Sequence, residues 1–114
     1  MENQTPMTET QNLKQMLSFQ TGAVVSRMLV KNSSGNVTLF AFDEGEGLSE
    51  HTAPFDALVI GIEGQAEISI KDKRQLLNEG ETLLLPANIP HAVVPQGKFK
   101  MLLIMIRGEA KATT

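Results

Sequence analysis

The chain has 114 residues, the length of a single domain. It has no cysteine, which excludes disulfide bonds, thiolate metal sites and cysteine nucleophiles. Any metal would have to be held by histidine, carboxylate or water. The formal net charge is −3, and the basic residues do not cluster as they do in proteins that bind nucleic acid. We therefore expect no nucleic-acid partner.

The sequence carries no pattern typical of membrane insertion or export. No apolar run approaches the roughly 18 residues of a membrane span. The first residues, MENQTPMTETQ, are polar, unlike a signal peptide or a transit peptide. We expect a cytoplasmic protein with no membrane partner.

The two ends of the chain are predicted to lie outside the folded domain. Residues 1–12 lack apolar periodicity and predict a flexible N-terminal tail. Residues 108–114 are predicted to form a short C-terminal tail, which leaves one domain over residues 13–107. That domain begins with apolar residues at i, i+3 and i+4 within Leu13–Leu17, enough for one helical turn.

From Ala23 onward the sequence has the pattern of short strands separated by Gly, Asn or Pro. Residues 66–71 alternate between apolar and polar side chains, the period of a half-buried strand. We predict hairpins across residues 32–36, across Gly64 and across residues 72–73. With no long helical pattern, this spacing favours an all-β sandwich or barrel. The predicted strands are 23–31, 37–43, 58–63, 66–71, 74–78, 82–85, 91–94 and 99–106.

The last predicted strand, FKMLLIMI, is the most apolar run in the chain. After Lys100 it is apolar on both faces, so only one face can fill the interior of a barrel. The other face needs a cover, and we expect a homodimer formed by strand or sheet packing. The alternative is that the N-terminal segment folds back over this face.

The only two histidines, His51 and His91, lie in two stretches of similar construction. The first stretch runs from Gly45 to Gly64 and the second from Gly80 to Pro95. Each histidine is flanked by apolar strand-like runs and turn residues. We expect both stretches to belong to one small β-barrel and to direct their histidines into a shared pocket.

The first stretch resembles the first motif of the cupin superfamily, G-x5-H-x-H-x3-E-x6-G. Gly45, His51 and Gly64 stand at the matching positions of this sequence. The second histidine of the motif is replaced by Ala53, and its glutamate is replaced by Ala57.

The second stretch resembles the second cupin motif, G-x5-P-x-G-x2-H-x3-N. Gly80, Pro86 and His91 match in register, while Asn88 replaces the glycine and Pro95 replaces the asparagine. The chain is similar to the small single-domain, RmlC-like cupins labelled "cupin 2 conserved barrel". The resemblance implies an antiparallel jelly-roll barrel, also called a double-stranded β-helix.

In metal-binding cupins these motifs supply three histidines and one glutamate to a divalent transition metal such as Zn, Fe, Mn, Ni or Cu. The resemblance carries only His51 and His91 over to this chain, because Ala53 and Ala57 have no donor atom. First-row metals in proteins usually take at least three side-chain ligands. We therefore expect the metal to be absent or weakly bound.

Three further residues are candidates for the pocket. Asp56 precedes the position of the lost glutamate, although neighbouring residues on a regular strand point to opposite faces. Arg27 is a charged residue within an apolar strand and is expected to be paired or at the barrel mouth. Met101 is expected to contribute to an apolar lining, or to be ordinary core.

Three hypotheses for function remain open from the sequence. The first is that the barrel binds a small organic ligand at the two histidines. The second is a metal-dependent enzyme of the dioxygenase or isomerase type. The third is a non-catalytic structural or interaction barrel. Many proteins of this kind have no assigned activity, and the substrate does not follow from the motifs.

Overall fold

The computed structural model describes residues 7–108, which form nine strands in two antiparallel sheets. A single 3₁₀ turn, Leu13–Gln15, precedes the first strand. No helix in this range is long and apolar enough to cross a membrane. The strands are β1 (Val24–Asn32), β2 (Gly35–Phe42), β3 (Leu48–His51), β4 (Asp56–Glu63), β5 (Ala66–Ile70), β6 (Lys73–Leu77), β7 (Thr82–Leu85), β8 (His91–Pro95) and β9 (Phe99–Ile106).

Eight of these strands were predicted from the sequence, and β3 was not. β3 has only four residues, Leu48–His51, and two of them are the polar Ser49 and Glu50. So short a segment has too little alternation to indicate a strand by itself. The predicted tails at 1–12 and 108–114 lie largely outside the described residues.

The strands divide into a five-stranded sheet, in the order β1-β2-β9-β4-β7, and a four-stranded sheet, in the order β3-β8-β5-β6. The predicted hairpins β1–β2 and β5–β6 are confirmed. The hairpin predicted across Gly64 is wrong, because β4 and β5 lie in different sheets. At Gly64 the chain instead crosses from one sheet to the other.

The core lies between the two sheets and is built from the inward-facing residue of each alternating pair. Its aromatic centre is formed by Phe42 and Phe99, whose ring centroids are 5.8 Å apart. Both rings are fully buried, and burying a side chain of this size stabilises the fold by about 1.5–3 kcal/mol. The other buried members of this cluster are Ala57, Val59, Ala66, Ile68, Leu77, Leu85, Val93 and Met101.

The outer face of the five-stranded sheet is partly covered by the chain that precedes β1. Lys100 points to this face and is only 6% exposed. Its ammonium donates to the carbonyl of Lys14, lies 4.8 Å from the ring centroid of Phe19 and is 3.4 Å from the carboxylate of Glu63. These partners compensate for the burial of a charge. The N-terminal segment therefore does fold back over β9, at the end where Lys100 lies.

We predict that Gly64→Ala destabilises the protein more than Gly80→Ala does. Both glycines have positive φ, 75° and 85°, so alanine carries a left-handed strain of about 1–2 kcal/mol at each. A Cβ at Gly64 would lie 2.3 Å from the carbonyl oxygen of Lys98, whereas a Cβ at Gly80 would meet nothing within 4 Å. The clash should cost about 1–3 kcal/mol more.

Urea denaturation of the two variants measures this difference, because Gly80→Ala reports the φ strain alone. Equal losses of unfolding free energy in the two variants would contradict the close packing of Gly64 against Lys98.

Candidate functional site

The two histidines lie directly opposite each other on neighbouring strands. His51 ends β3, His91 begins β8, and the two residues are partners in the antiparallel ladder. Their ring centroids are 4.4 Å apart, with the rings inclined at 70° in an edge-to-face arrangement. The structure thus brings together the two residues that the sequence singled out.

A β-bulge in β3 determines which face His51 occupies. Leu48 pairs with Val93 and His51 pairs with His91, so three steps along β3 match two steps along β8. Leu48 packs against the core. In a regular strand Glu50 would share the inward face with Leu48, and His51 would point outward. The bulge reverses this parity and turns His51 towards His91.

Both imidazoles are oriented by hydrogen bonds from the same ring nitrogen. Nδ1 of His51 lies 2.7 Å from the carbonyl oxygen of Ser49, and Nδ1 of His91 lies 3.1 Å from that of Ile89. A carbonyl oxygen can only accept, so in each bond Nδ1 carries the proton and donates it. In the neutral ring Nε2 then keeps its lone pair. Within residues 7–108 neither Nε2 has a hydrogen-bond partner.

The two rings differ in their exposure. The side chain of His51 is exposed, whereas His91 is 7% exposed. In the described part of the chain no buried side-chain nitrogen or oxygen lacks a partner, so Nε2 of His91 retains some exposure to solvent. The pair therefore combines a buried imidazole, His91, with an exposed one, His51.

Burial keeps His91 in its neutral form. It lowers the pKa of the imidazole below its ordinary value of 6.5, and a positive charge on His51 lowers it further. The hydrogen bond to the Ile89 carbonyl opposes this shift, but burial is the larger effect. At neutral pH His91 presents a lone pair and not a second proton.

The two motif loops are tied to each other beside the histidines. The amide of Asn88 donates to the carbonyl of Ala53 over 2.7 Å. The amide of Ala87 donates to Oδ1 of Asp56 over 2.8 Å. Asn88 has φ 65°, a left-handed conformation that glycine or asparagine adopts most readily, which explains why asparagine can stand at the glycine position of the motif. Asp56 thus holds the loop that leads to His91.

The donor set does not fit a resident metal held by three or more side chains. Ala57, at the position of the motif glutamate, is buried in the core, and Ala53 contributes its carbonyl to the loop contact. Within residues 7–108 no group of three or more His, Cys, Asp or Glu could hold a metal ion. Among the described residues the site offers two imidazoles and no carboxylate.

The structure does not bring Arg27 or Met101 to the histidines. Arg27 pairs with Leu39 on the outer face of the five-stranded sheet, and its Nη1 donates to the carbonyl of Met16 over 3.1 Å. Met101 points inward but is 1% exposed, within the packed core. Arg27 binds the N-terminal segment because its strand parity turns it away from the barrel interior.

Two polar residues on the inner face of β2 were missed by the sequence analysis. The hydroxyl of Thr38 donates to Oδ1 of Asn36 over 3.0 Å, and Nδ2 of Asn36 lies 3.8 Å from the sulfur of Met105. Asn36 shares a row with Met105 and Ala57, at the end of the barrel where the loops to both histidines begin. Thr38 and Asn36 lie two and four residues before Phe40, a spacing that predicts a shared strand face, but the sequence pattern places Asn36 in a turn.

A groove beside the edge strands β6 and β7 is separate from this site. It is lined by Gln75, Leu76, Leu77, Gly80, Glu81, Thr82 and Leu83, and it contains neither histidine. Its one acid, Glu81, accepts from the backbone and side-chain amides of Asn78. The histidine pair therefore remains the better candidate site.

The sequence and the fold agree on the class of protein. A family model described as a cupin domain matches residues 38–107, well over half of the chain, so the protein belongs to the cupin family. Among proteins with curated functions, none matches the sequence. The predicted all-β, antiparallel cupin barrel is confirmed by this match and by the two sheets.

Solved structures with the same fold include uncharacterised relatives. A conserved protein of unknown function from Streptococcus pyogenes is 33% identical, with 95% of each chain covered and a TM-score of 0.87. A cupin superfamily protein from Desulfitobacterium hafniense is 28% identical, covering 93% of this chain and 97% of that one, with a TM-score of 0.86. A cupin 2 conserved barrel domain protein from Leptotrichia buccalis is 40% identical over 84% of this chain but only 47% of its own, with a TM-score of 0.80.

We predict that the free energy of unfolding decreases as the pH falls from about 8 to about 5.5. The pKa of His91 is lower in the folded than in the unfolded protein. The unfolded chain therefore binds a proton more readily as the pH falls through the ordinary histidine value, and the native state loses stability. Urea unfolding at several pH values measures the slope.

His91→Gln is the control, because it removes this titration while keeping a polar side chain. Its stability should depend less on pH in the same window. A native protein that becomes more stable on acidification across this window would contradict the assignment of His91 as a buried neutral imidazole.

Proposed function

We propose that the protein binds a small, neutral, hydroxyl-bearing organic molecule at the mouth formed by His51 and His91. The observation that carries this proposal is the pair of adjacent imidazoles, each with Nδ1 bonded to a backbone carbonyl and with no partner for Nε2 among residues 7–108. The mouth of a small barrel is a common place for a ligand pocket.

The hydrogen-bonding capacity of the two imidazoles indicates which kind of ligand they can bind. Two neutral Nε2 atoms are both acceptors, so they cannot bond to each other and instead need donors from elsewhere. Hydroxyl groups provide such donors, whereas a carboxylate offers only further acceptors. Ile70 is the ladder partner of His91 on the neighbouring strand, so an apolar side chain lies beside the imidazole. A polyol or a sugar, with hydroxyls on one side and C–H groups on the other, meets both requirements.

A third protein ligand for a metal would have to come from outside the histidine pair. First-row metals held by two imidazoles alone would depend on water or substrate for the rest of their coordination shell, so we expect any such binding to be weak. The other two hypotheses, a metal-dependent enzyme and a structural barrel, are tested by the binding experiment described below.

We predict that neutral polyols and sugars bind, and that the matched acids do not. Glycerol against glycerate and glucose against gluconate are suitable pairs, measured by calorimetry or by NMR chemical-shift perturbation at a pH near 8. His51→Ala and His91→Ala should each weaken binding about tenfold, because each removes one hydrogen-bond acceptor worth about 1–1.5 kcal/mol.

Glu50→Gln is the matched control, since Glu50 is the exposed residue next to His51 in the chain, and this change should leave the affinity unchanged. Preferential binding of the acids would overturn the proposal. About one metal ion per chain in protein purified without chelator, lost in His91→Ala, would replace it with the metal-dependent enzyme. Failure to bind either polyols or metals would favour the structural barrel.

A further inference from the structure

The inward face of β2 changes from aromatic to polar towards the end of the barrel that carries the histidines. Phe42 and Phe40 pack in the core, and Thr38 and Asn36 follow them on the same face of the strand. Thr38 is 7% exposed and Asn36 is half-buried. Burying a polar side chain costs free energy unless it is hydrogen-bonded, so these two residues need polar partners.

The contacts of Asn36 determine the direction of its amide. The hydroxyl of Thr38 lies 3.0 Å from Oδ1 of Asn36, and Nδ2 lies 3.8 Å from the sulfur of Met105. A thioether can only accept a hydrogen bond, so the NH₂ group must be on the side of the sulfur and the oxygen on the side of Thr38. One N–H is then directed to a weak acceptor, and the other has no acceptor among residues 7–108. Within that range Asn36 therefore keeps a donor for another molecule.

The two sheets are stacked so that Asn36 faces the histidine pair. The groove lined by β6 and β7 shows that these two edge strands lie side by side. Counting along both sheets from that edge, β9 lies across from β8 and β2 lies across from β3. Residues 52–55 and 86–90 connect the end of the five-stranded sheet that carries Asn36 to His51 and His91. Facing sheets pack about 10 Å apart, so a small molecule bound at the imidazoles lies within reach of the amide.

The two sides of this space have opposite hydrogen-bonding character. His51 and His91 present acceptors at Nε2, whereas Asn36 presents a donor. A hydroxyl group both donates and accepts, so an alcohol satisfies the imidazoles and the amide together. An ammonium group only donates and would leave the N–H of Asn36 unpaired. An ether oxygen only accepts and would leave the imidazoles unpaired.

We propose that Asn36 determines the specificity of the histidine site by donating from Nδ2 to a hydroxyl oxygen of the ligand, and that Thr38 positions its amide. The inference rests on the proposed binding of a hydroxyl-bearing molecule. It adds that the ligand is recognised from both sheets, and that an amine of the same size is rejected.

Asn36→Asp tests this role, because it keeps the shape of the side chain and replaces the donor with a carboxylate that only accepts. The ligands are glycerol and serinol, in which an ammonium group replaces the central hydroxyl of glycerol. The native protein should favour glycerol in calorimetry or NMR titration. Asn36→Asp should bind glycerol about tenfold more weakly, because one hydrogen bond is lost, and should favour serinol.

Gln75→Glu is the matched control. It makes the same change from carboxamide to carboxylate, with the same change in charge, in the groove beside β6 and β7, which contains neither histidine. Both affinities should stay at their native values in this variant. Circular dichroism shows that each variant is folded.

Two substitutions at Thr38 separate positioning from packing. Thr38→Val removes the hydroxyl that donates to Asn36 and should weaken glycerol binding about threefold. Thr38→Ser keeps the hydroxyl and should retain the native affinity. Equal losses in the two variants would show that Thr38 acts through packing and would overturn its positioning role.

An NMR titration of the native protein gives a measurement that needs no variant in the site. The side-chain NH₂ resonances of Asn36 should shift as glycerol is added, and those of Gln75 should not. Binding that is lost in His51→Ala and His91→Ala but unchanged in Asn36→Asp, with no shift at the NH₂ of Asn36, would overturn this inference and leave the proposed function standing. A native protein that binds neither polyols nor sugars would overturn both.

Discussion

The register between β3 and β8 is the constraint on which the site depends. A strand has a side-chain period of two, so one extra residue exchanges its inward and outward faces. The bulge between Leu48 and His51 supplies that residue: Leu48 stays in the core while His51, three positions later, also turns inward. Without it, Glu50 would stand beside His91 and create a histidine–carboxylate pair of different chemistry. The contact between the two rings follows from this one irregularity.

The loops around the pair are joined to each other beside the histidines, although two donors of the cupin motif are missing. The contacts from Asn88 to Ala53 and from Ala87 to Asp56 join the two motifs through the backbone and one carboxylate. Asp56, which lies next to the lost glutamate position, therefore serves the loop that carries His91. Ala57, at the glutamate position of the motif, is part of the apolar core. These features favour recognition by hydrogen bonding over coordination by four protein ligands.

Much of the fold could be predicted from local patterns, since β7 and β9 have the predicted bounds and the spacing of the motifs identified the histidine pair. What could not be predicted depends on contacts between distant residues. The bulge in β3 exists only against β8, and the crossing at Gly64 depends on Lys98. Likewise, nothing local indicates that Lys100 is buried under the N-terminal segment or that Arg27 binds Met16. Asn36 and Thr38 share the alternation of Phe40 and Phe42, so their place on the inner face follows from the sequence once the strand is known to begin at Gly35.

The central claim is that both imidazoles carry a proton on Nδ1, which donates to a backbone carbonyl, and leave Nε2 to face a ligand. Nitrogen-15 chemical shifts, read through long-range couplings to the ring carbon-bound protons, distinguish the two tautomers directly, and with only two histidines His51→Gln completes the assignment. The account predicts that Nδ1 is the protonated nitrogen in both rings. A proton on Nε2 of either ring would contradict it, because the backbone carbonyls would then not be orienting that imidazole.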